Sequence, residues 1–234
     1  MAKLIGLSRS IKLEWLNKTV ELILEDKNEA QIKEELNEYL SFEIKSPTVL
    51  RKTREILMTI WVRTPEKIAL MKQKALEAYK DEKANKLAIH WGMILLAYPV
   101  FSDVCALIGK ISNIQDTFTT AWLKDKLFEV WGDRTTLLHS SDKILQTLKL
   151  IGAIENEKVG SYRIKKYEVT DTKTIQILLM AIQNLKEKAY YEIADLSSVP
   201  RMFPFEFSVS YEWLHNSDVF ELNNFGGKIV LTVD

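Results

Sequence analysis

Cysteine is almost missing from this chain. Its single cysteine, Cys105, excludes an internal disulfide and fits a reducing compartment. Histidine is nearly as scarce: His90, His139 and His215 stand far apart, and no Cys/His or His/carboxylate spacing makes a zinc site. No GxxxxGK[ST], GxGxxG or GxSxG pattern occurs, so no phosphate loop or nucleophile turn announces an enzyme, and no cofactor is expected. Charge of one sign is also lacking, since 32 basic residues balance 32 acidic ones. No overall positive field therefore draws the molecule to nucleic acid or to an anionic membrane. The longest apolar run, Trp91 to Phe101, is broken by Pro99 and falls short of the roughly 20 residues that span a bilayer. The first residues carry no long apolar stretch ahead of Arg9 and Lys12, so no signal peptide is read there. Together these absences predict a soluble, cytoplasmic protein.

What is present is helical periodicity. Ile11, Trp15, Leu16, Val20, Ile23 and Leu24 recur at steps of three and four within Ser10 to Asp26. Asn28 caps a second expected helix, with Ile32, Leu36, Tyr39 and Leu40 inward. Ser46-Pro47 starts a third, running to about Trp61, because a hydroxyl cap followed by proline costs the first turn nothing. Thr64-Pro65 repeats that signal before a helix through Tyr79, and another extends from about Asn85 to Tyr98, stopped by Pro99. Helices over Phe101 to Ile111 and Thr119 to Trp131 come next. With only 8 glycines and 5 prolines and no Gly/Ser-rich joint, the helical part is expected to pack on the rest of the chain rather than swing on a tether.

The stretch from Asp133 to Val169 carries the functional signal. Leu137, Ser141, Ile144, Leu145, Leu148 and Ile151 line one side of a helix that Asp133 caps and Gly152 stops. Arg134, Thr135, His139, Ser140, Lys143 and Gln146 fall on the other side. Beyond it, Ala153 to Glu155 and Tyr162 to Val169 alternate around Val159-Gly160-Ser161 as a hairpin. Two helices, a third with one polar side, and a basic hairpin are the pattern of a winged helix-turn-helix. Formal charge is +4 over residues 134–166 and −5 over 167–234, so the positive charge is local. After the wing, Thr172 to about Ala194 reads as helix. Phe220 to Leu222 and Lys228 to Val233 read as a terminal hairpin around Asn223 to Gly227.

Three segments resemble the BrxA family of the BREX phage-defence systems. They are Ser46-Pro47-Thr48-Val49-Leu50-Arg51-Lys52-Thr53-Arg54-Glu55-Ile56-Leu57, Leu95-Leu96-Ala97-Tyr98-Pro99 followed by Phe101-Ser102-Asp103-Val104, and Trp131 to Ile154 with its ending Leu148-Lys149-Leu150-Ile151-Gly152-Ala153-Ile154. The resemblance implies a cytoplasmic, mostly helical, non-enzymatic component that binds duplex DNA and works beside the other BREX proteins, a methyltransferase, an ATPase and a phosphatase-like protein. It carries no catalytic residue onto this sequence.

The expected architecture is mainly α: a helical N-terminal bundle (1–90) packed on a winged helix-turn-helix (91–170), with a C-terminal helix and small β-hairpin (171–234). In a DNA complex, Arg134, Thr135, His139, Ser140 and Lys143 would face base edges or phosphates, and Lys158, Arg163, Lys165 and Lys166 would grip the backbone. Arg51, Lys52 and Arg54 make a second basic set, candidates for a second DNA contact, whose ordinary reading is a solvated helix face. Two alternatives use the same fold. A transcriptional regulator would favour one operator, and a structural adaptor would hold other subunits without touching DNA. His90 beside Trp91 reads as a core histidine, and Glu43-Ile44-Lys45 as a chance likeness to a metal-nuclease triplet. The aromatics of the tail, Phe203, Phe205, Phe207, Tyr211, Trp213 and Phe225, are dense enough to suggest an interface with a partner or a second copy.

Overall fold

A computed structural model describes residues 7–233, and the chain is mainly α. Its first helices form where the hydrophobic spacing and capping residues predict. Helix α1 (Leu13–Leu24) buries Trp15, Leu16, Val20 and Leu22. Helix α2 (Glu29–Ser41) opens on a reciprocal capping box, in which the Asn28 side chain accepts from Gln31 N and the Gln31 side chain accepts from Asn28 N. Helix α3 (Pro47–Trp61) starts after Ser46, whose hydroxyl accepts from Val49 N.

At Thr64-Pro65 the expectation is only half met. The chain first makes a 3-10 turn at Glu66–Ile68, and α4 (Ala69–Tyr79) begins with no side-chain cap. Ile68 is buried at this point, so packing decides the start. Helix α5 (Lys86–Ala97) is capped by Asn85 and is buried along nearly all its length. Pro99 ends it and opens α6 (Pro99–Ser112) as the latter's first residue.

Next come a short strand the periodicity did not reveal, β1 (Thr117–Thr119), then α7 (Thr120–Trp131) and α8 (Thr135–Leu150). Strands β2 (Ile154–Lys158) and β3 (Ser161–Ile164) form the expected hairpin, turned at Gly160 with φ 73°. β1 adds to it antiparallel, in the order β1-β3-β2. The hairpin is shorter than expected. After Ile164 the chain turns away, and β4 (Tyr167–Glu168) pairs instead, in parallel, with β6 (Phe205–Glu206).

Helix α9 (Thr172–Leu185) stops well before Ala194 because Lys186 takes a left-handed conformation with φ 50°. The residues beyond it form β5 (Tyr190–Glu192), which pairs with β8 (Lys228–Thr232) beside β7 (Leu222–Phe225). The terminal hairpin is thus real, and a third strand taken from the expected helix completes its sheet. Two short helices, α10 (Ile193–Leu196) and α11 (Tyr211–His215), and a 3-10 turn at Pro200–Met202 fill the segment between.

One hydrophobic core runs from Leu7 to Leu231. The expected joint at residue 90 falls inside α5, which packs on α9 as well as on α4 and α6. The two fully buried indoles belong to this core: Trp61 sits edge-on to His90, and Trp91 is edge-on to Phe101, Phe203 and Phe205. Burying an aromatic side chain of this size contributes about 3 kcal/mol. Phe203, Phe205 and Phe207 are therefore spent on the protein's own interior, which corrects their expected place at an interface; Tyr211 and Phe225 remain exposed.

Candidate nucleic-acid interface

Most residues expected to meet DNA sit on α8 with its cap Arg134, on the β2–β3 hairpin, and at Lys165 and Lys166 just past it. Helix α8 packs on α6, α7 and β2 through Leu137, Ser140, Ser141, Ile144, Leu145, Thr147 and Leu148. Thr135, His139, Asp142, Gln146 and Lys149 recur at steps of four and three on the opposite side, and all five are exposed. The helix therefore presents one continuous polar row about four turns long. Lys143 flanks the row, half-buried, with Nζ 3.4 Å from Gln146 Oε1.

Two expectations about this helix are corrected. Ser140 does not face outward: it is buried and its hydroxyl donates to Leu7 O at 3.0 Å, because the N-terminal segment lies against that side of α8. Asp133 does not cap it. Arg134 occupies the capping position with no side-chain bond, leaving a cation at the positive end of the helix dipole. The C-terminal end is as expected, with Gly152 at φ 87° and Ala153 N donating to Leu148 O.

The wing is less positive than its composition suggests. Arg163 is paired with Glu157 at 2.7 Å, and Lys165 with Glu155 across the hairpin. Lys166 lies between Asp116 and Glu206, at 3.9 and 3.4 Å. Three of the four expected phosphate grips therefore already hold a carboxylate, two from β2 and one from outside the hairpin. Lys158 has no such partner among the described residues, and next to it Val159 stands fully exposed at the tip. In the α8 row the one acid, Asp142, is itself neutralised by Lys124 of α7 at 2.7 Å.

The second basic set does not join this surface. Arg54 is buried, and its guanidinium is held by Asn37 Oδ1 and Glu55 Oε1, both at 2.6 Å. That corrects its expected exposure; the cost of desolvating the charge is met by two hydrogen-bonding partners. Arg51 and Lys52 are exposed on α3, which packs on α1, α2 and α5.

Residues with other chemistry turn out to be structural. His90 is wholly buried, its Nδ1 accepting from Trp61 Nε1 at 3.0 Å and its Nε2 2.9 Å from Asn17 Oδ1. Burial, with Lys86 adding to it, pushes its pKa down to about 3, so the ring is neutral. Glu43 accepts from Trp15 Nε1 at 3.2 Å and pairs with Lys12, an explanation for that residue that needs no metal. Among the described residues no cluster of His, Cys, Asp or Glu could hold a metal ion, and no helix is long and apolar enough to cross a membrane. Comparison with models of known families, with curated proteins and with solved structures finds no match to this chain.

Proposed function

We propose that residues 99–164 are a winged helix-turn-helix and that the protein binds duplex DNA by laying α8 in the major groove, without catalysing a reaction. One observation carries this reading: the order α6-β1-α7-α8-β2-β3, with the sheet closed as β1-β3-β2, leaves an uncovered polar row on the second helix of the α7–α8 pair. The row's side chains suit base edges and phosphates: Thr135 and Gln146 donate and accept, His139 does either, and Lys149 brings charge. The likeness to the BrxA family supports a place in a phage-defence system beside its other proteins.

The paired wing favours a modest electrostatic contribution, so affinity is expected to fall only shallowly as salt rises. The test is binding of a labelled duplex by wild type, Lys149→Glu and His139→Ala. Wild type should bind at low ionic strength, and Lys149→Glu should weaken binding on the order of tenfold with folding intact. No binding of any duplex, together with a stable complex with neighbouring gene products, would overturn the reading in favour of an adaptor.

A further inference from the structure

The N-terminal segment crosses α8 beside the polar row. Leu7 O accepts from the Ser140 hydroxyl at 3.0 Å, and Ile11 N donates to Thr147 Oγ1 at 3.1 Å. Ser140 and Thr147 are two helical turns apart, about 10 Å along the axis. Residues 7–11 therefore form a strap that follows the helix for that distance. Lys143 is three residues after Ser140 and four before Thr147, so it sits on the same side of α8 between the two anchors. Arg9 is midway along the strap. Two cations are thus brought to one stretch of surface, next to His139 and Gln146.

Neither is neutralised. Among the described residues no carboxylate pairs with Arg9 or Lys143; the guanidinium tip of Arg9 donates only to Ser8 O at 2.6 Å, and its Nε is buried with no acceptor. Lys143 reaches only the neutral Gln146. This is the reverse of the wing base, where Arg163, Lys165 and Lys166 each hold a carboxylate. Two like charges carried on one stretch of surface, neither paired with an acid, favour an anion that lies across them.

We infer that Arg9 and Lys143 form a phosphate-binding pair on the strap edge of α8, and that this edge rather than the wing base supplies the DNA backbone contacts. The inference rests on the reading that α8 enters the groove. It makes the N-terminal segment part of the interface and gives Ser140 and Thr147 a role as positioning residues for Arg9.

The experiment is anisotropy of a mixed-sequence duplex of about 20 base pairs, titrated with the full chain across a range of salt. Each phosphate contact contributes about 0.9 to the slope of log affinity against log salt. Arg9→Ala and Lys143→Ala should each lower the slope by about 0.9 and the double variant by about twice that, whereas Lys165→Ala and Lys166→Ala leave it nearly unchanged. Arg9→Lys, which keeps the charge, should restore the slope. If wild type binds and Arg9→Ala and Lys143→Ala keep its slope, the pair is wrong while the DNA-binding reading stands. A loss of slope in Arg9→Lys equal to that in Arg9→Ala would likewise overturn the inference, since charge would not be the cause. If wild type binds no duplex at low salt, the underlying reading itself has failed.

Discussion

At the scale of single residues, buried polar groups account for much of what the composition leaves unexplained. His90 is held neutral between Trp61 and Asn17, while Asn17 Oδ1 also accepts from Tyr79 OH at 3.0 Å. Because the folded pKa lies near 3 and the unfolded one near 6.5, the unfolded chain binds the extra proton between those values. Stability from this group is complete above pH 6.5 and falls by about 1.4 kcal/mol for each unit below it. Urea melts at pH 7.5 and 5 should show that loss, and His90→Gln should show a shallower dependence. Cys105 is buried, which drives its thiol pKa well up, so it should resist alkylation in the native state and react fully in urea. The core role of His90 was legible from its place on an apolar helix beside Trp91, but its partners were not. Asn17, Trp61 and His90 are brought together by three helices, and no local spacing encodes that meeting.

Among elements, helices with side-chain caps begin where their caps lie, whereas strands depend on partners. Asn28→Ala removes the side-chain half of the capping box on α2, the acceptor for Gln31 N, and should cost about 1 kcal/mol in thermal or chemical denaturation. A different constraint governs α6, where Gly109 faces the 3-10 turn at Pro200–Met202. A Cβ there would lie 1.9 Å from Pro200 O, a backbone atom that cannot rotate away. Gly109→Ala should therefore destabilise by about 3 kcal/mol, read as a lower unfolding midpoint. Tyr190-Tyr191-Glu192 comes after a strong helical run and reads as its continuation, yet pairing with Thr232, Leu231 and Val230 makes it a strand. Lys165 and Lys166 show the same limit: alternation extends the wing through them, but Tyr167 finds Pro204 O and Val169 finds Glu206 O instead.

Across the whole molecule, the N-terminal strap packs on α8, which carries the polar row, and the C-terminal segment on α6 behind it. Asp103 of α6 accepts from Trp131 Nε1, at the end of α7, and from Arg201 Nη1, while Arg201 also reaches Glu187 and Ser102. Burial works against the Arg201 charge, but Glu187 and Asp103 outweigh it and raise its pKa. Asp103→Ala leaves that half-enclosed guanidinium with one carboxylate and should cost about 3 kcal/mol in denaturant unfolding. Thr147→Val would strand the buried Ile11 N–H and should cost about 2 kcal/mol by the same measurement.

Local sequence is enough to specify most of the helices, the caps at Asn28 and Ser46, the apolar faces and the hairpin after α8. Periodicity and capping act over a few residues, so they can be read without knowing the fold. Which charges are left over was settled by long-range packing alone. It buried Ser140 beneath Leu7 and Arg54 against Asn37, and it set Lys166 beside Glu206. It also set Arg9 on the strap that crosses α8. A charge is available to a polyanion only if no neighbour in space neutralises or covers it, and those neighbours come from distant parts of the chain.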